Sequence, residues 1–552
     1  MRTSVHRANT QALSALLGLL AVAASALGFL VGLLAAHGGI ALLARFTARR
    51  RTVWRERVPW RIQATMVGIG YGCCMLLTVA TLANILGLSG TVFWLALLLG
   101  FPVAVGVGWQ TGVWWSANLS VHRHGSLMLG EWRPAPFFVS QPYVIASSER
   151  LKHLVIHGPT GTGKSTLLEN LILTDIKNGV GLCVIDPKDD LVDRILGHIP
   201  PERAQNVILL DATDSDYPVG FNPFSGIPPD RRSLAASELI AVFRRSFATS
   251  WGPRLEHILT NVVLALLETP QATLLDIPRL LLDPAFTAWV LTHVTNPLVR
   301  EFFLVEFEQV IRRRGDAIEP ILNKVGPWLV YPELRNIVGQ PRSSFAIRQV
   351  MDRGQILLVR IPEGAIGEDI ASLLGALIVA KIQLAAHSRV DIAQARRRPF
   401  YLYIDEFQHF ATSSFTRILT EARAFRLGLI CSNQYPEQVS RDLQLAMGRN
   451  VANTVQCLHQ HGRYHLQLTR LEDASQAGSP LLLRAAPPLP PGDSQNTVRI
   501  RNLSRTRYGQ PRAVVEAMVL GRDCSRRYGP AGPAAPPQPK ARKPARVDVD
   551  EE

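Results

Sequence analysis

Residues 157 to 166 read HGPTGTGKST and hold the most chemically specific pattern in this chain of 552 residues. They contain the spacing G-x-x-x-x-G-K-[ST], in which glycines let the backbone curl so that its N–H groups point at phosphate oxygens. Lys164 can reach the β- and γ-phosphates of a nucleotide, and the hydroxyl of Ser165 can ligate Mg²⁺. The pattern therefore predicts a site for ATP and Mg²⁺. The residues expected to line it are Gly158, Thr160, Gly161, Thr162, Gly163, Lys164, Ser165 and Thr166.

A second pair of candidate residues, Asp405 and Glu406, follows residues 400 to 404 in the string FYLYIDEFQHF. Such an apolar run is typical of a buried strand, and the carboxyl ends of strands in an α/β sheet face the ligand crevice. Adjacent strand residues point to opposite faces, but a turn at the strand's end relaxes that rule. We expect Asp405 to hold Mg²⁺, directly or through water, and Glu406 to polarise the attacking water. A solvated turn is the alternative.

The elements that must position these groups are predicted from apolar periodicity. Residues 153 to 156, HLVI, indicate a strand before the glycine loop, and residues 165 to 176 have helical apolar spacing. Strand, loop and helix in this order are what the phosphate site requires. Asp186 ends another predicted strand, which we expect beside the phosphate-loop strand. Its carboxylate lies either behind the Mg²⁺ ligands or at the start of the following helix as a cap.

The glycine loop and the acid pair together favour a motor ATPase over other nucleotide-binding proteins. GTP-binding switches read the base with an Asn-Lys-x-Asp string, but the nearest string here, NKVG at residues 323 to 326, lacks the aspartate. Small-molecule kinases usually have a lid and no Asp-Glu strand end. The sequence thus predicts hydrolysis of ATP rather than nucleotide binding alone.

Four strings carry a resemblance to a known family: VIDPKDDL at 184–191, GFNPF at 220–224, YIDEFQHF at 403–410 and EARAFRLGLICSNQ at 421–434. In this order they resemble the type IV coupling proteins, the TraG/TraD family of conjugation and type IV secretion, within the FtsK/HerA group of hexameric translocases. The resemblance covers about residues 151–459 and the apolar N-terminus. It implies a RecA-like P-loop NTPase core, ATP hydrolysis, a homo-hexameric ring and transport of DNA or a DNA–relaxase complex.

The same resemblance implies two further catalytic residues. In that family, an arginine on the helix before the glutamine-ending strand completes the site of a neighbouring subunit, and Arg423 matches its position. Gln434 matches the residue that senses the γ-phosphate. Pairing of Arg423 with Glu421 or another local acid is the alternative, and Arg449 is the second candidate for the arginine that acts in trans.

A long interval separates the third predicted strand from the string QILLVRIPEG at residues 355 to 364. It would be implausible as a loop, and its apolar residues recur at spacings of three and four. We expect an inserted all-α domain, which the resemblance also implies at the cytoplasmic mouth of the ring. Its basic residues are either DNA contacts or solvated helix faces. The candidates are Arg244, Arg245, Arg312–Arg314 and Lys324.

Three apolar runs lie before residue 120, at about 12–43, 62–88 and 92–115. Each has the roughly 20 residues needed to cross a bilayer core of about 30 Å. Residues 44 to 61 carry seven arginines and one glutamate, so this loop is expected to stay cytoplasmic. We expect a multi-pass protein of the bacterial inner membrane with a cytoplasmic ATPase domain. Coupling proteins commonly have two spans and a larger outside loop, from which this chain departs.

The remaining sequence completes the predicted organisation. TVRIRNL at 497–503 and AVVEAMVL at 513–520 indicate strands of a small appendage, and the Pro/Ala-rich tail cannot bury a core. The cysteines have no metal-ligand spacing, so we expect reduced, buried thiols. The predicted domains are a transmembrane region at 1–120, a linker at 121–150, the RecA-like ATPase at 151–225 and 351–460, the all-α insertion at 226–350, the appendage at 461–527 and a disordered tail at 528–552.

The charge of the chain fits a polyanionic cargo: 59 lysines and arginines stand against 44 acids. The leading hypothesis is an ATP-driven DNA pump, its partners being single- or double-stranded DNA, a relaxase or other relaxosome protein, the components of a type IV secretion channel and the membrane. Movement of protein effectors by the same ATPase, an FtsK-type DNA translocase and a nucleotide-gated scaffold are the alternatives. The FtsK group usually carries a C-terminal winged-helix reader, which this sequence does not suggest.

Overall fold

The structure, a computed structural model, describes residues 127–133, 140–247, 251–311, 318–458, 464–473, 476–477 and 480–521. The three predicted membrane spans and the predicted disordered tail lie outside these residues. Within them, the helix Glu368–Asp391 is long and apolar enough to cross a membrane, but 78% of its most apolar window is buried inside the protein. Such burial is typical of a core helix.

A twelve-stranded sheet organises the chain, in the order β2-β1-β12-β10-β9-β3-β8-β7-β4-β6-β5, with β11 paired to β10. The strands are β1 (Leu127–Trp132), β2 (Gln141–Ile145), β3 (Leu154–His157), β4 (Gly181–Asp186), β5 (Val207–Asp211), β6 (Ile356–Arg360), β7 (Phe400–Ile404), β8 (Leu427–Asn433), β9 (Asn453–Leu458), β10 (His465–Asp473), β11 (Gln476–Ala477) and β12 (Leu481–Arg484).

The centre of this sheet is parallel. Strands β9, β3, β8, β7, β4 and β6 run parallel to one another, whereas β10, β12, β1 and β2 add antiparallel pairs beyond β9. Every residue of β4, β7 and β8 is buried, as expected for strands covered on both faces. The predicted α/β class is confirmed, and a mixed sheet with parallel central strands fits a RecA-like P-loop ATPase.

One expectation about strand order is wrong. The strand that ends at Asp186, β4, does not lie beside the phosphate-loop strand β3, because β8 and β7 stand between them. The chain crosses over from β3 and leaves two positions, which later strands fill. Asp186 is therefore next to the strand of Asp405, and Asp405 N–H donates to the carbonyl of Ile185 (3.3 Å).

The helices fall between these strands, and most follow apolar spacing in the sequence. They are α1 (Ser147–Arg150), α2 (Lys164–Lys177), α3 (Asp190–His198), α4 (Arg232–Ser246), α5 (Pro253–Glu268), α6 (Asp276–Leu282), α7 (Pro284–Leu291), α8 (Pro297–Glu301), a π-helix (Phe302–Ile311), α9 (Glu319–Val330), α10 (Pro332–Val338), α11 (Ile347–Arg353), α12 (Glu363–Ile366), α13 (Glu368–His387), α14 (Ser413–Glu421), α15 (Arg441–Asn450), α16 (Ser494–Tyr508) and α17 (Arg512–Leu520).

The chain forms two compact units. The first contains residues up to 208, residues 347 to 360 and residues 385 to 501, and it carries nearly all of the sheet. The second contains residues 209 to 346, 361 to 384 and 502 onward. Its described part is mainly helical, and Phe243, Phe247 and Trp328 stack in its core with ring centroids 5.3–6.0 Å apart.

The two strands predicted near the C-terminus are wrong. Residues 497 to 503 lie in helix α16 and residues 513 to 520 in helix α17. The buried positions recur four residues apart, at Ile500 and Ser504 and again at Val515 and Val519. That is the period of one helix face, whereas the short alternation of apolar residues that suggested strands includes the exposed Val498.

Candidate active site

The phosphate loop leaves β3 after His157 and enters helix α2 at Lys164, which gives the predicted order of strand, loop and helix. Gly161 and Gly163 have φ of 84° and 101°, a left-handed region that other residues avoid. A Cβ atom on Gly163 would lie 3.0 Å from the ring of Tyr464. Glycine at this position therefore allows the left-handed turn and leaves room for the ring of Tyr464.

The loop is fastened to the neighbouring strand β8. Gly158 N–H donates to the carbonyls of Asn433 (3.3 Å) and Gln434 (3.2 Å), and Thr162 Oγ1 donates to the carbonyl of Pro159 (2.8 Å). A Cβ on Gly158 would lie 2.7 Å from Cβ of Cys457. These contacts fix the curl of the backbone before any ligand arrives.

Lys164 begins helix α2 with a buried side chain. Its ammonium group donates to the carbonyls of Gly158 and Pro159, the latter at 3.1 Å. Burial lowers the pKa of Lys164, and the nearby charge of Lys188 adds to this effect, while Glu406 and Asp405 oppose it. The lysine and the acid pair act on each other because they follow β3 and β7, whose ends lie at one edge of the sheet with β8 between them.

Asp405 follows β7 as predicted, and its side chain is buried. Its Oδ1 accepts hydrogen bonds from the hydroxyl of Ser432 and from the backbone N–H of Glu406 (3.1 Å). Ser432 lies on β8, between the strands of the loop and of the acids. Sequence reasoning did not select Ser432; its place two residues before Gln434 on a predicted strand was the available signal.

Glu406 shows how two adjacent acids can serve one site. Its backbone is left-handed, with φ 46° and ψ 52°, and it opens the 3₁₀ turn Phe407–His409 instead of continuing β7. The strand alternation is broken there, as the sequence analysis expected. Its carboxylate is buried and accepts hydrogen bonds from Lys188 and from Gln408 Nε2 (2.8 Å). The solvated-turn alternative is thus wrong for this pair.

The electrostatics of Glu406 favour its ionised form. Burial acts to raise the pKa of this carboxyl, but the hydrogen bonds from Gln408 and Lys188 and the charges of Lys188 and Lys164 outweigh it and lower the pKa. A carboxylate that accepts a proton only below its usual range stays anionic at neutral pH. It can then polarise a water molecule.

Asp186 caps the loop after β4. Its Oδ1 accepts the backbone N–H of Lys188 and its Oδ2 that of Val192, the third residue of helix α3, both at 2.9 Å. Burial raises the pKa of Asp186, while these backbone hydrogen bonds act to lower it. Both oxygens serve the following turn and helix, so the capping alternative describes this residue.

The residues matched by family resemblance lie just outside the elements next to them. Gln434 directly follows β8, and Arg423 is exposed in the 3₁₀ turn Ala422–Phe425, just after helix α14. Glu421, the alternative partner of Arg423, instead contacts His387, with Oε2 3.4 Å from Nε2. Arg449 is exposed near the end of helix α15. The action of Arg423 or Arg449 in trans and the sensing of the γ-phosphate by Gln434 stay predictions.

The candidate DNA contacts of the second unit differ in their availability. Arg244 pairs with Glu256 and lies 5.7 Å from the ring centroid of Trp251. Burial lowers the pKa of Arg245. Lys324 is half-buried on helix α9. Arg312–Arg314 lie outside the described residues, so these contacts also stay predictions.

The cysteines predicted to be buried thiols on strands are Cys183, Cys431 and Cys457. All three lie in the sheet, and burial raises the pKa of each, that of Cys457 to about 11. A thiol with such a pKa stays protonated at neutral pH. The described cysteines therefore fit a role in packing.

The donors at this edge of the sheet fit a nucleoside triphosphate with Mg²⁺. The glycine loop presents backbone N–H groups at the start of a 14-residue helix, whose dipole favours an anion. Ser165 and Asp405 offer a hydroxyl and a carboxylate, the oxygen ligands that Mg²⁺ prefers. The loop and the acid pair follow β3 and β7, whose parallel course brings their ends to one edge with only β8 between.

Comparison with known proteins gives structural matches only. No protein-family model matches the chain, and no curated protein does. Among solved structures, the bacterial conjugative coupling protein TrwBdeltaN70 is 16% identical over 63% of this chain and 82% of its own, with a TM-score of 0.42. VirB4 of Thermoanaerobacter pseudethanolicus is 11% identical over 65% of this chain and 96% of its own, with a TM-score of 0.43.

A third match is more distant. EssC (ATPases 2 and 3) from Geobacillus thermodenitrificans is 6% identical over 72% of this chain and 50% of its own, with a TM-score of 0.26. The chain is similar in structure to a conjugative coupling protein, as its four sequence strings indicate.

Proposed function

We propose that this protein is a membrane-anchored, hexameric ATPase that couples ATP hydrolysis to translocation of DNA, or of a DNA–relaxase complex, into a type IV secretion or conjugation channel. One observation carries the enzymatic part. The fold brings the Lys164 loop and the Asp405–Glu406 turn to the same sheet edge, where Lys164 and Glu406 influence each other's pKa. Neither group alone would indicate hydrolysis.

The division of labour among the chain's own residues follows from their contacts. The loop N–H groups and Lys164 hold the phosphates, and the anionic Glu406 accepts a proton from the water that attacks the γ-phosphorus. Ser432 holds the Asp405 carboxylate in place through its hydroxyl. Mg²⁺, held by Ser165 and Asp405, would neutralise charge on the phosphate oxygens when bound. A TrwB structure among the matches contains ADP and Mg²⁺.

An arginine from a neighbouring subunit would neutralise further negative charge that develops on the phosphate oxygens. Arg423 is exposed on the turn that precedes β8, where a neighbouring subunit could receive it. An arginine supplied in trans contributes about 10³–10⁵ in rate. The proposed hexamer, the inner-membrane anchor and the secretion-channel partners rest on the family resemblance of the sequence.

The first experiment measures ATP hydrolysis by the full-length chain with and without single- or double-stranded DNA. We expect DNA to stimulate turnover, and Lys164→Ala to abolish turnover and transfer while membrane insertion persists. Transfer by the Lys164→Ala variant would reject the motor. ATP hydrolysis that no DNA stimulates would instead favour protein effectors as the cargo. DNA binding should weaken steeply with salt, because each phosphate contact releases counterions.

The second experiment locates the arginine that acts in trans. Subunits carrying Arg423→Ala are mixed with subunits that keep Arg423 but carry Glu406→Gln. We expect mixed rings to regain activity that neither variant has alone, since each subunit supplies what its neighbour lacks. Arg449→Ala in the same mixing assay is the matched control. Rescue with Arg449→Ala and none with Arg423→Ala would reassign the arginine.

A further inference from the structure

A lysine that the sequence analysis passed over, Lys188, contacts the carboxylate of Glu406 directly. It comes from the turn after β4, the strand next to β7. Ile185 and Ile404 are paired in register, so the turns that follow the two strands leave the sheet side by side. The backbone N–H of Lys188 is held by Asp186 Oδ1 (2.9 Å), which fixes where its side chain starts.

The two partners of this ion pair differ in exposure. The Lys188 side chain is 44% exposed, whereas that of Glu406 is 3% exposed. A buried carboxylate without a compensating cation is costly, and its orientation is undefined unless hydrogen bonds fix it. Lys188 takes Oε1 and Gln408 takes Oε2. Each oxygen keeps a further lone pair, which can accept from a water molecule.

The charges that face this pair are those of the phosphate site. Lys164, Asp405 and Asp186 all act electrostatically on Glu406 or on Lys188. Lys164 is committed to the loop carbonyls of Gly158 and Pro159 and donates no hydrogen bond to Glu406 among the bonds the structure describes. The cation that hydrogen-bonds Glu406 is Lys188.

We propose that Lys188 is a positioning residue for the proposed hydrolysis: it holds the Glu406 carboxylate in the orientation that aligns the attacking water. The inference rests on the proposed function, because it assigns Glu406 to water activation. It adds a residue from a different strand end, and it explains why the acid can be buried two residues beyond the end of β7. In this role Lys188 acts through Glu406.

The test is steady-state ATP hydrolysis by full-length variants, together with binding of a fluorescent ATP analogue. Lys188→Met keeps the length of the side chain and removes its charge. We expect it to lower kcat by about 10–100-fold and to leave KM and the analogue's Kd within about 3-fold. Lys188→Arg, which can still donate to the carboxylate, should recover most of kcat. In a Glu406→Gln background, Lys188→Met should add no further loss.

Three results would overturn the proposal. Unchanged kcat in Lys188→Met would show that Glu406 needs no such partner. A rise of more than 10-fold in Kd at constant kcat would make Lys188 a nucleotide ligand. If Lys188→Met lowered kcat by the same factor in the Glu406→Gln background as in the unaltered protein, the two residues would act independently. If the unaltered chain hydrolyses no ATP, the proposed function fails, and crystal structures decide the positioning: an identical Glu406 orientation with and without Lys188 rejects it.

Discussion

The carboxylates of Asp175 and Glu406, both in the first unit, are each buried and paired with a cation, and the two pairs are built differently. Asp175, in the last turn of helix α2, meets Arg150 through two hydrogen bonds, of 2.8 and 2.5 Å. Both side chains are at most 1% exposed. Glu406, at the sheet edge, meets Lys188, whose side chain is 44% exposed. One pair is sealed in the interior, and the other opens to water on the lysine side.

The surroundings of the Arg150–Asp175 pair complete the seal. Tyr403 Oη donates to Asp175 Oδ2 (2.6 Å), and the Arg150 guanidinium stacks 3.6 Å from the ring centroid of Tyr401. Both tyrosines lie on β7, the strand that ends at the acid pair. The network therefore ties the helix that starts at Lys164 to the strand that delivers Glu406.

The comparison separates two uses of buried charge. The sealed pair, which is hydrogen-bonded internally and to Tyr403, ties helix α2 to β7 and offers nothing to a ligand. The open pair leaves carboxylate lone pairs that can accept a hydrogen bond from a water molecule. Loss of the first should therefore lower stability, and loss of the second should lower activity.

The largest expected effect is on activity at the open pair. Glu406→Gln keeps the shape and removes the base, so kcat for ATP should fall by about 10²–10⁴-fold. The free energy of unfolding should hold or fall slightly, because the hydrogen bonds and charges that lower the pKa of Glu406 stabilise its ionised form in the folded state. Parallel ATPase assays and urea unfolding check both parts. A variant that unfolds more readily yet keeps its turnover would erase the distinction between the pairs.

The largest expected effect on stability is at the sealed pair. Asp175→Asn leaves Arg150 buried without a counter-charge, and we expect it to lower the free energy of unfolding by about 3–5 kcal/mol. The double variant Arg150→Met with Asp175→Leu removes both charges and should recover most of that loss. Urea unfolding of the three proteins measures the difference. A double variant as unstable as Asp175→Asn would mean that packing, not charge, dominates.

Much of the open site is readable from sequence, since it depends on short local patterns. The loop at 158–165 and the acid pair after 404 are each contiguous, and each sits at the end of a recognisable strand. Parallel strands bring such ends to one edge, so the meeting of the two was predictable. The sequence indicated that a turn would relax the alternation of side chains after β7, but it did not indicate the left-handed backbone of Glu406.

The partners that come from other strands were not readable. Lys188 and Ser432 reach the acids only because β4 and β8 flank β7, and strand order is set by long-range packing that one sequence does not reveal. For the same reason, the strand of Asp186 was wrongly predicted to lie beside the phosphate-loop strand. The sealed pair was missed as well, since Arg150 and Asp175 look like ordinary charges on helical spacing.

His153, near the sealed pair, shows what burial does to a basic group that has no carboxylate partner among its described contacts. His153 is buried, and its Nδ1 accepts the N–H of Leu429 (3.0 Å). Burial lowers its pKa from 6.5 to about 4. Between these values the unfolded chain binds a proton that the folded chain does not, so stability falls as pH drops through this window. Arg150, which has Asp175, keeps its charge in the same interior.

We expect the free energy of unfolding to fall by about 1.6 kcal/mol from this residue between pH 6.5 and 5. His153→Asn is the matched control. Its side chain does not titrate there, and asparagine tolerates the left-handed φ of 68° at this position. Urea unfolding at the two pH values should show a weaker pH dependence in the variant. An equal change in unfolding free energy between the two pH values in both proteins would mean that other groups cause the loss of stability at low pH.

The last two variants compare the loss of unfolding free energy at the centre and at the edge of the network around Arg150 and Asp175. Tyr403→Phe removes a buried hydrogen bond to a carboxylate and should cost about 1.5–3 kcal/mol. Ser147→Ala removes a neutral, partly buried contact with Tyr401 Oη (3.3 Å) and should cost about 0.5–1 kcal/mol. Neither should change kcat by more than about 2-fold, because both leave the strand end in place. If Tyr403→Phe instead lowered kcat without lowering stability, the interior network would belong to the catalytic site, and the two pairs would form one functional system.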